Sequence, residues 1–316
     1  MNLTMQISVV ICTFNRANSL KDTLESLLVQ NLDGIFDYEI IVVDNNSKDA
    51  TKSIVYSYMP KFQGRLSYVL ETSQGLSNAR NRGIKEAKGS IIAFTDDDVI
   101  IDKNWLSNIW ACLQSNDYQA MGGRILPLYN PDTPKWIKDN SDLLGGPIVR
   151  HDYGEINKSY AKETMSPFVG ANMAFSRKVF DKYGLFRADL GVGQGKVGED
   201  TEFFKRVIEK EKICYCGKAL VWHKVEKKRS NLAYIAKWWM LQGRYAVAED
   251  YGKGESRVTL FFGIPRYIFR ETIINAAALL SRVFDRRKFV KTWKKISWDI
   301  GRIMEYRKIY ICSKYQ

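Results

Sequence analysis

Ser90-Ile91-Ile92-Ala93-Phe94-Thr95-Asp96-Asp97-Asp98 sets an apolar run directly before three consecutive carboxylates. Such a run reads as a strand covered on both faces, with the acids at its carboxyl end. The preceding sequence follows the same pattern. Ile7 to Cys12, Tyr38 to Val43 and Leu66 to Leu70 read as strands. Between them, Leu20, Leu24, Leu27 and Leu28 recur at helical spacing after Asn18 or Ser19, either of which can cap a helix. A second helix follows from about Asp49, and a third runs from Ser77 to Ala87 and stops at Gly89. Strands alternating with helices predict crossover units and a largely parallel sheet. Ligands of open α/β sheets bind at the carboxyl ends of strands, where Asn15, Asp44 and Asp96 to Asp98 collect.

Downstream of the acids, residues 127–168 hold Pro127, Pro131, Pro134, Gly145, Gly146 and Pro147. They predict a loop-rich insertion, a kind of segment that is often functional. Val169 to Phe175 reads as a strand, Arg187 to Gly198 as a Gly-rich loop, and Glu199 to Lys210 as an amphipathic helix. Lys212 to Cys216 and Lys218 to Trp222 read as two strands around a Gly217 turn. From Ser230 onward the pattern is helical.

The chain has 316 residues, and a hydrophobic fraction of 45% supports a sizeable core rather than disorder. The net charge of +13 sits in the last third: 21 Lys/Arg face 8 Asp/Glu from Lys224 onward, and 27 face 27 before it. That asymmetry points to a tail that meets a polyanion or an anionic membrane surface. Nucleic acid is disfavoured, because there is no helix-turn-helix, aromatic RNA-binding motif or zinc finger. Cys12, Cys112, Cys214, Cys216 and Cys312 are odd in number and form no CxxC pair, so they read as buried free thiols of a reducing cytosol. The N-terminal stretch reads as a first strand rather than a signal peptide. No window of about 20 residues is free of charge, which argues against a transmembrane helix.

On an extended segment Asp96 and Asp98 project to the same side. Two such carboxylates suit a divalent cation that bridges a diphosphate, although a solvated acidic turn has the same sequence. Asp44 ends a strand where nucleotide folds place a ribose or base contact, and Asp44-Asn45-Asn46-Ser47 is equally strong Asx-turn chemistry. Gly75 to Gly83 opens a helix whose N-terminus attracts anions; Arg80 or Arg82 either clamps phosphate or stays solvated. Glu199-Asp200 also opens a helix, where a carboxylate serves as general base or simply favours the helix dipole. His223 is either a metal ligand or a structural residue beside Trp222.

Together these pieces resemble the family 2 glycosyltransferases, which have the GT-A fold, a Rossmann-like nucleotide-binding α/β sheet flanked by helices. The resemblance spans about Ile7 to His223. It is carried in order by Ser8 to Arg16, Val43 to Ser47, Gly75 to Gly83, Phe94 to Asp98 and Gly198 to Glu202. Val169-Gly170-Ala171-Asn172-Met173-Ala174-Phe175 also looks like that family's acceptor-side strand. The resemblance implies a GT-A catalytic domain over 1–225, with a nucleotide-binding half at 1–126 and an acceptor half at 127–225, then a basic helical tail at 226–316. It implies Thr13, Asn15 and Asp44 at the nucleoside and Arg80 near the nucleotide. Asp96 and Asp98 become DxD-type ligands of diphosphate and of Mn2+ or Mg2+, and His223 completes the metal site as in some members. Asp200 becomes the catalytic base with Glu199 beside it, and Asn172 falls on the acceptor side. An acceptor hydroxyl then displaces the nucleoside diphosphate with inversion, under a closed Gly-rich segment 191–198. Trp136 stacks on a sugar ring or packs in a core.

The implied partners are a UDP-, GDP- or dTDP-sugar and a glycan or lipid-linked acceptor, in cell-surface polysaccharide biosynthesis. In the tail, apolar residues from Leu260 to Phe284 are interspersed with Arg266, Arg270 and Arg282, and Arg286-Arg287-Lys288 follows. Lys291, Lys294 and Lys295 alternate with Trp293, Ile296 and Trp298. This pattern describes an interfacial helix, in which each basic residue near an anionic surface contributes about 1 kcal/mol. A helical subdomain or a homo-oligomer interface reads the same way. The expected location is cytoplasmic, peripheral on the inner face of the cell membrane. A sugar-1-phosphate nucleotidyltransferase would need a Gly-rich basic loop after the first strand, and Thr13-Phe14-Asn15-Arg16 is not one. A non-catalytic nucleotide-sugar-binding membrane scaffold is opposed by the intact acids at 96, 98, 199 and 200.

Overall fold

The acidic cluster lies on a nine-stranded sheet whose order explains its position. The structure is a computed structural model and describes residues 5–314 except 33, 35, 116, 192–197 and 251–259. The chain begins β1 (Met5–Thr13), α1 (Ala17–Leu28), β2 (Asp37–Asp44), α2 (Thr51–Tyr58), β3 (Leu66–Leu70), α3 (Leu76–Glu86) and β4 (Ile91–Asp96). It continues with β5 (Val99–Ile101), α4 (Trp105–Gln114), β6 (Ala120–Tyr129), α5 (Lys135–Asp139) and α6 (Ser141–Leu144). Next come β7 (Lys158–Ser159), β8 (Asn172–Ser176), α7 (Arg177–Tyr183), α8 (Glu199–Ile208) and β9 (Ile213–Val225). Last are α9 (Leu232–Asp250), β10 (Leu260–Phe261), β11 (Ile264–Pro265), α10 (Arg266–Ser281) and α11 (Arg286–Lys314).

The sheet order is β3-β2-β1-β4-β8-β6-β9-β5, with β7 paired to β9. The first four strands are parallel. β8 is antiparallel to β4 and β6, and β5 and β7 are antiparallel to β9. The largely parallel sheet read from the sequence therefore ends at β4, and the whole is mixed. β1, β2 and β4 are buried apolar runs because helices cover both faces.

Two local expectations need correction. Neither Asn18 nor Ser19 caps α1. The helix starts at Ala17, whose N–H donates to Asp49 Oδ2 at 3.0 Å, while Asp49 Oδ1 accepts the N–H of Thr51 at the head of α2. One carboxylate serves two helix starts, and a cap brought from another loop leaves no local signature. The second correction is β9, one strand that passes straight through Gly217. A Cβ there would lie 2.4 Å from the Gly154 carbonyl oxygen and 2.5 Å from the Glu155 carbonyl carbon. Gly217 thus permits close backbone approach rather than a turn.

An aromatic cluster fixes α8 on the sheet: Phe203 meets Phe175 at 5.2 Å and Phe186 at 4.7 Å between ring centroids. Cys112, Cys214 and Cys216 are buried free thiols, Cys12 is half-buried, and Cys312 is exposed rather than buried.

Contacts divide the chain into two compact units, Met1–Leu128 with Arg150–Lys224, and Tyr129–Val149 with Val225–Gln316. The second unit is built on Ile137, Leu144, Ile148, Val225, Ile235 and Val290. Among the described residues, no helix is long and apolar enough to cross a membrane.

Gly217→Ala is expected to lower unfolding stability by about 1–3 kcal/mol through overpacking against backbone. The measurement is the urea midpoint at constant m-value. An unchanged midpoint would contradict the close approach of β9 to residues 154–155.

Candidate active site

Strand register places three of the expected residues in one row. Thr13 pairs with Asp44 and Cys12 with Asp96, so β1, β2 and β4 end side by side. Asp44 is buried, accepts the Ser47 N–H at 2.8 Å as an Asx turn, and also accepts the Tyr68 hydroxyl at 2.8 Å. The loop reading of Asp44 is the one these contacts describe, and each carboxylate oxygen keeps a second lone pair. Asn15, at φ 53°, accepts the Lys48 N–H on its side-chain oxygen at 2.7 Å and donates its own N–H to Ser47 Oγ at 2.8 Å, tying the β1 and β2 loops together. Thr13 Oγ1 is buried and has no hydrogen-bond partner among the described residues.

Beside this row, ligand atoms of Asp96, Asp98 and His223 all lie within 4.8 Å of one another. His223 comes from β9, which pairs with β5 at Val99. Its Nε2 is 3.2 Å from Asp98 Oδ1 and 3.6 Å from Asp96 Oδ2. Its Nδ1 faces the Lys224 carbonyl at 3.1 Å. With Nδ1 turned to this carbonyl, Nε2 is the ring atom that meets the carboxylates, and it would offer its lone pair to a cation held between them. Two hard oxygens and one imidazole nitrogen around a point fit Mn2+ or Mg2+. The turn rather than an extended strand sets this geometry, because β4 ends at Asp96 itself.

Asp96 and Asp97 differ. Burial alone would raise the Asp96 carboxyl, but His223, Arg80 and Arg16 hold it below the usual range. Burial pushes Asp97 up to about 7 against the opposing charge of Arg16. Arg16 Nη1 donates to Asp98 Oδ2 at 2.5 Å and to Asp97 Oδ1 at 3.2 Å.

Arg80 turns inward from α3 and donates to Glu199 Oε1 on α8 at 2.6 Å, both groups being buried. Burial disfavours the guanidinium charge, yet Glu199 and Asp200 hold its pKa above the ordinary value. A Cβ on Gly170 would lie 1.9 Å from Arg80 Nη2, so only glycine lets the guanidinium pass. Asp200 accepts the Gly170 N–H at 3.1 Å and the Thr201 N–H at 2.7 Å. Burial and then the Glu199 charge push its carboxyl up to about 6, with Arg80 opposing. A carboxyl poised there is suited to proton transfer near neutrality.

Other expected residues have contacts of their own. Arg82 is half-exposed and pairs with Glu86 at 2.9 Å. Asn172 is buried, with its amide accepting from Trp105 Nε1 and donating to the Arg124 and Ala219 carbonyls, which holds neighbouring strands together. Trp136 belongs to the second unit and packs half-buried against its core. Of the Gly-rich segment 191–198, residues 192–197 lie outside the described residues. Sequence reasoning assigned no role to Arg16 or Asn45. Asn45 donates to the Glu71 and Ser73 carbonyls and accepts the Gly75 N–H, which sets the loop before α3. Both sit beside residues already singled out, so adjacency to Asn15 and Asp44 was the available signal.

A model of the family described as Glycosyl transferase family 2 matches residues 8–184. The chain is 27% identical over 237 residues to the succinoglycan biosynthesis protein ExoM of Rhizobium meliloti, covering 75% of this chain and 72% of that protein. It is 25% identical over 238 residues to the glucosyl-dolichyl phosphate glucuronosyltransferase of Haloferax volcanii, covering 73% of each. The fold is similar to that of the mannosyltransferase PcManGT from Pyrobaculum calidifontis, solved in complex with GDP-Man and Mn2+. The TM-score is 0.58 at 17% identity, covering 96% of this chain and 88% of that one.

Arg80→Met strands Glu199 as a buried unpaired charge and is expected to cost about 3–5 kcal/mol. Arg80→Met/Glu199→Met is expected to recover most of that loss in equilibrium denaturation. A double variant no more stable than the single one would show that the pairing does not set the cost.

Proposed function

This chain belongs to glycosyl transferase family 2, and we propose that it transfers a sugar from a nucleotide-sugar donor to a hydroxyl of a glycan or lipid-linked acceptor, with inversion and with help from a divalent cation. It is a glycosyltransferase of polysaccharide or glycan biosynthesis with a GT-A fold. The observation that carries the finer reading is the convergence of Asp96, Asp98 and His223 beside Thr13 and Asp44. The Mn2+ and GDP-Man of the mannosyltransferase, and the lipid phosphate in the name of the Haloferax relative, agree with it.

Asp96, Asp98 and His223 would hold the cation. When bound, it supplies positive charge against the departing nucleoside diphosphate. Thr13 Oγ1 and Asp44 offer polar contacts to the nucleoside. Asp200, ionised at pH 7 by virtue of a pKa of about 6, takes the proton of the acceptor hydroxyl. The acceptor oxygen then forms its bond to the anomeric carbon from the face opposite the diphosphate, whose bond breaks with its electron pair. A single displacement inverts the configuration and needs no enzyme nucleophile. Arg80 and Glu199 position Asp200 and moderate its charge.

A donor screen by calorimetry tests the site, with each common nucleotide sugar offered in the presence of Mn2+ or chelator. Metal-dependent binding of one nucleotide class, lost in Asp96→Ala/Asp98→Ala, is expected. A folded protein that binds none would leave the non-catalytic scaffold as the better account. Asp200→Asn is expected to lower kcat by about 10²–10⁴ with donor affinity retained. The kcat/KM of the wild type should rise with pH through about 6 and then level, because the ionised form is the base. A flat acid limb would remove Asp200 from that role.

A further inference from the structure

In α10 Ile268 is buried, but several large apolar residues lie on the solvent side. Ile273, Ile274 and Leu280 are 68%, 57% and 79% exposed, whereas Glu271, Thr272 and Asn275 are half-buried. Arg266, Arg270, Ile273, Ala277, Leu280 and Phe284 fall at alternating spacings of three and four, which places them on one stripe. The stripe runs into the turn before α11, where Val283 is 53% and Phe284 99% exposed. The hairpin β10–β11 adds the exposed Leu260, Phe261 and Phe262, and Phe261 meets Phe269 of α10 at 6.0 Å. A continuous apolar face of this kind marks an interaction surface.

The charges around it narrow the partner. Arg266, Arg270, Arg286 and Lys291 are exposed, and their side chains enter no ion pair or hydrogen bond among the described residues. Among the described residues, the acids of α10 and the turn after it are already paired, Glu271 with Lys295 and Asp285 with Lys288. The apolar strip is therefore bordered at both ends by uncompensated cations, a layout that matches a planar anionic surface. A second copy docking isologously on this face would bring the same cations together.

We propose that this face lies on an anionic lipid bilayer, with α10 in the membrane plane. Ile273, Ile274, Leu280, Val283 and Phe284 enter the boundary between headgroups and acyl chains. Arg266, Arg270, Arg286 and Lys291 meet lipid phosphates. The proposal stands whichever donor the catalytic site takes.

The test is co-sedimentation of the full chain with vesicles of phosphatidylcholine, alone or with roughly one-third phosphatidylglycerol, at ~0.1 M and ~1 M salt. Expected is about tenfold or more tighter binding to the anionic vesicles, weakened by salt. Ile273→Glu/Leu280→Glu replaces two exposed residues, leaves thermal unfolding unchanged, and should weaken binding about tenfold or more. Arg266→Gln/Arg270→Gln should remove most of the preference for anionic lipid. The proposal is overturned by absent binding, by equal binding to both vesicles, or by binding that the glutamates leave intact. Dimers in sedimentation velocity that the same glutamates dissolve would assign the face to a second copy and overturn it as well.

Discussion

The catalytic unit depends on one buried ion pair, Arg80 with Glu199, which joins α3 to α8 across 119 residues of sequence. α3 is placed by the parallel strands it crosses over, and α8 by the aromatic cluster around Phe203. The pair makes these two placements agree to within a hydrogen bond. Its net contribution to stability is modest, since desolvating two charges offsets much of their attraction. Its value is positional and electrostatic. Burial raises the Asp200 carboxyl, Glu199 raises it further and Arg80 lowers it, so its level depends on two neighbours that hold each other in place.

A similar balance separates two adjacent acids, Asp96 and Asp97. Asp96 is held low by His223 and two arginines, while Asp97, one residue on, rises to about 7. The chemistry of a carboxyl follows its surroundings. Arg16 lowers both, so the difference comes from His223 and Arg80, which act on Asp96.

The parallel half of the fold and the row of polar strand ends are legible in the sequence, because both follow from local periodicity. Asp44, Asp96 and Asp98 stand out because they break apolar runs. Residues whose meaning lies far along the chain are not legible. Asp49 caps α1 from another loop, Gly217 is fixed by residues 154–155, and Asn172 answers to Trp105, Arg124 and Ala219. Each resembles a familiar local signal: a turn residue, a turn glycine, a ligand amide. Tertiary contacts decide which use is realised. His223 shows the opposite case. Sequence offers it as ligand or structural residue, and β9 pairing with β5 brings it to the acids.

The uneven charge of the chain has a physical logic in these terms. A site proposed to keep two carboxylates available to a cation would be disturbed by surplus cations nearby, since each lysine or arginine competes for the same oxygens. Residues before Lys224 are balanced at 27 basic and 27 acidic, and their arginines at the site are already committed to carboxylates. The whole surplus of +13 falls after that point, where Asp and Glu are few. The proposed attraction to an anionic surface would need many loosely held cations, whereas the proposed metal-assisted transfer would need few and tightly held ones. Placing the two demands in different stretches of chain lets each be met without cost to the other.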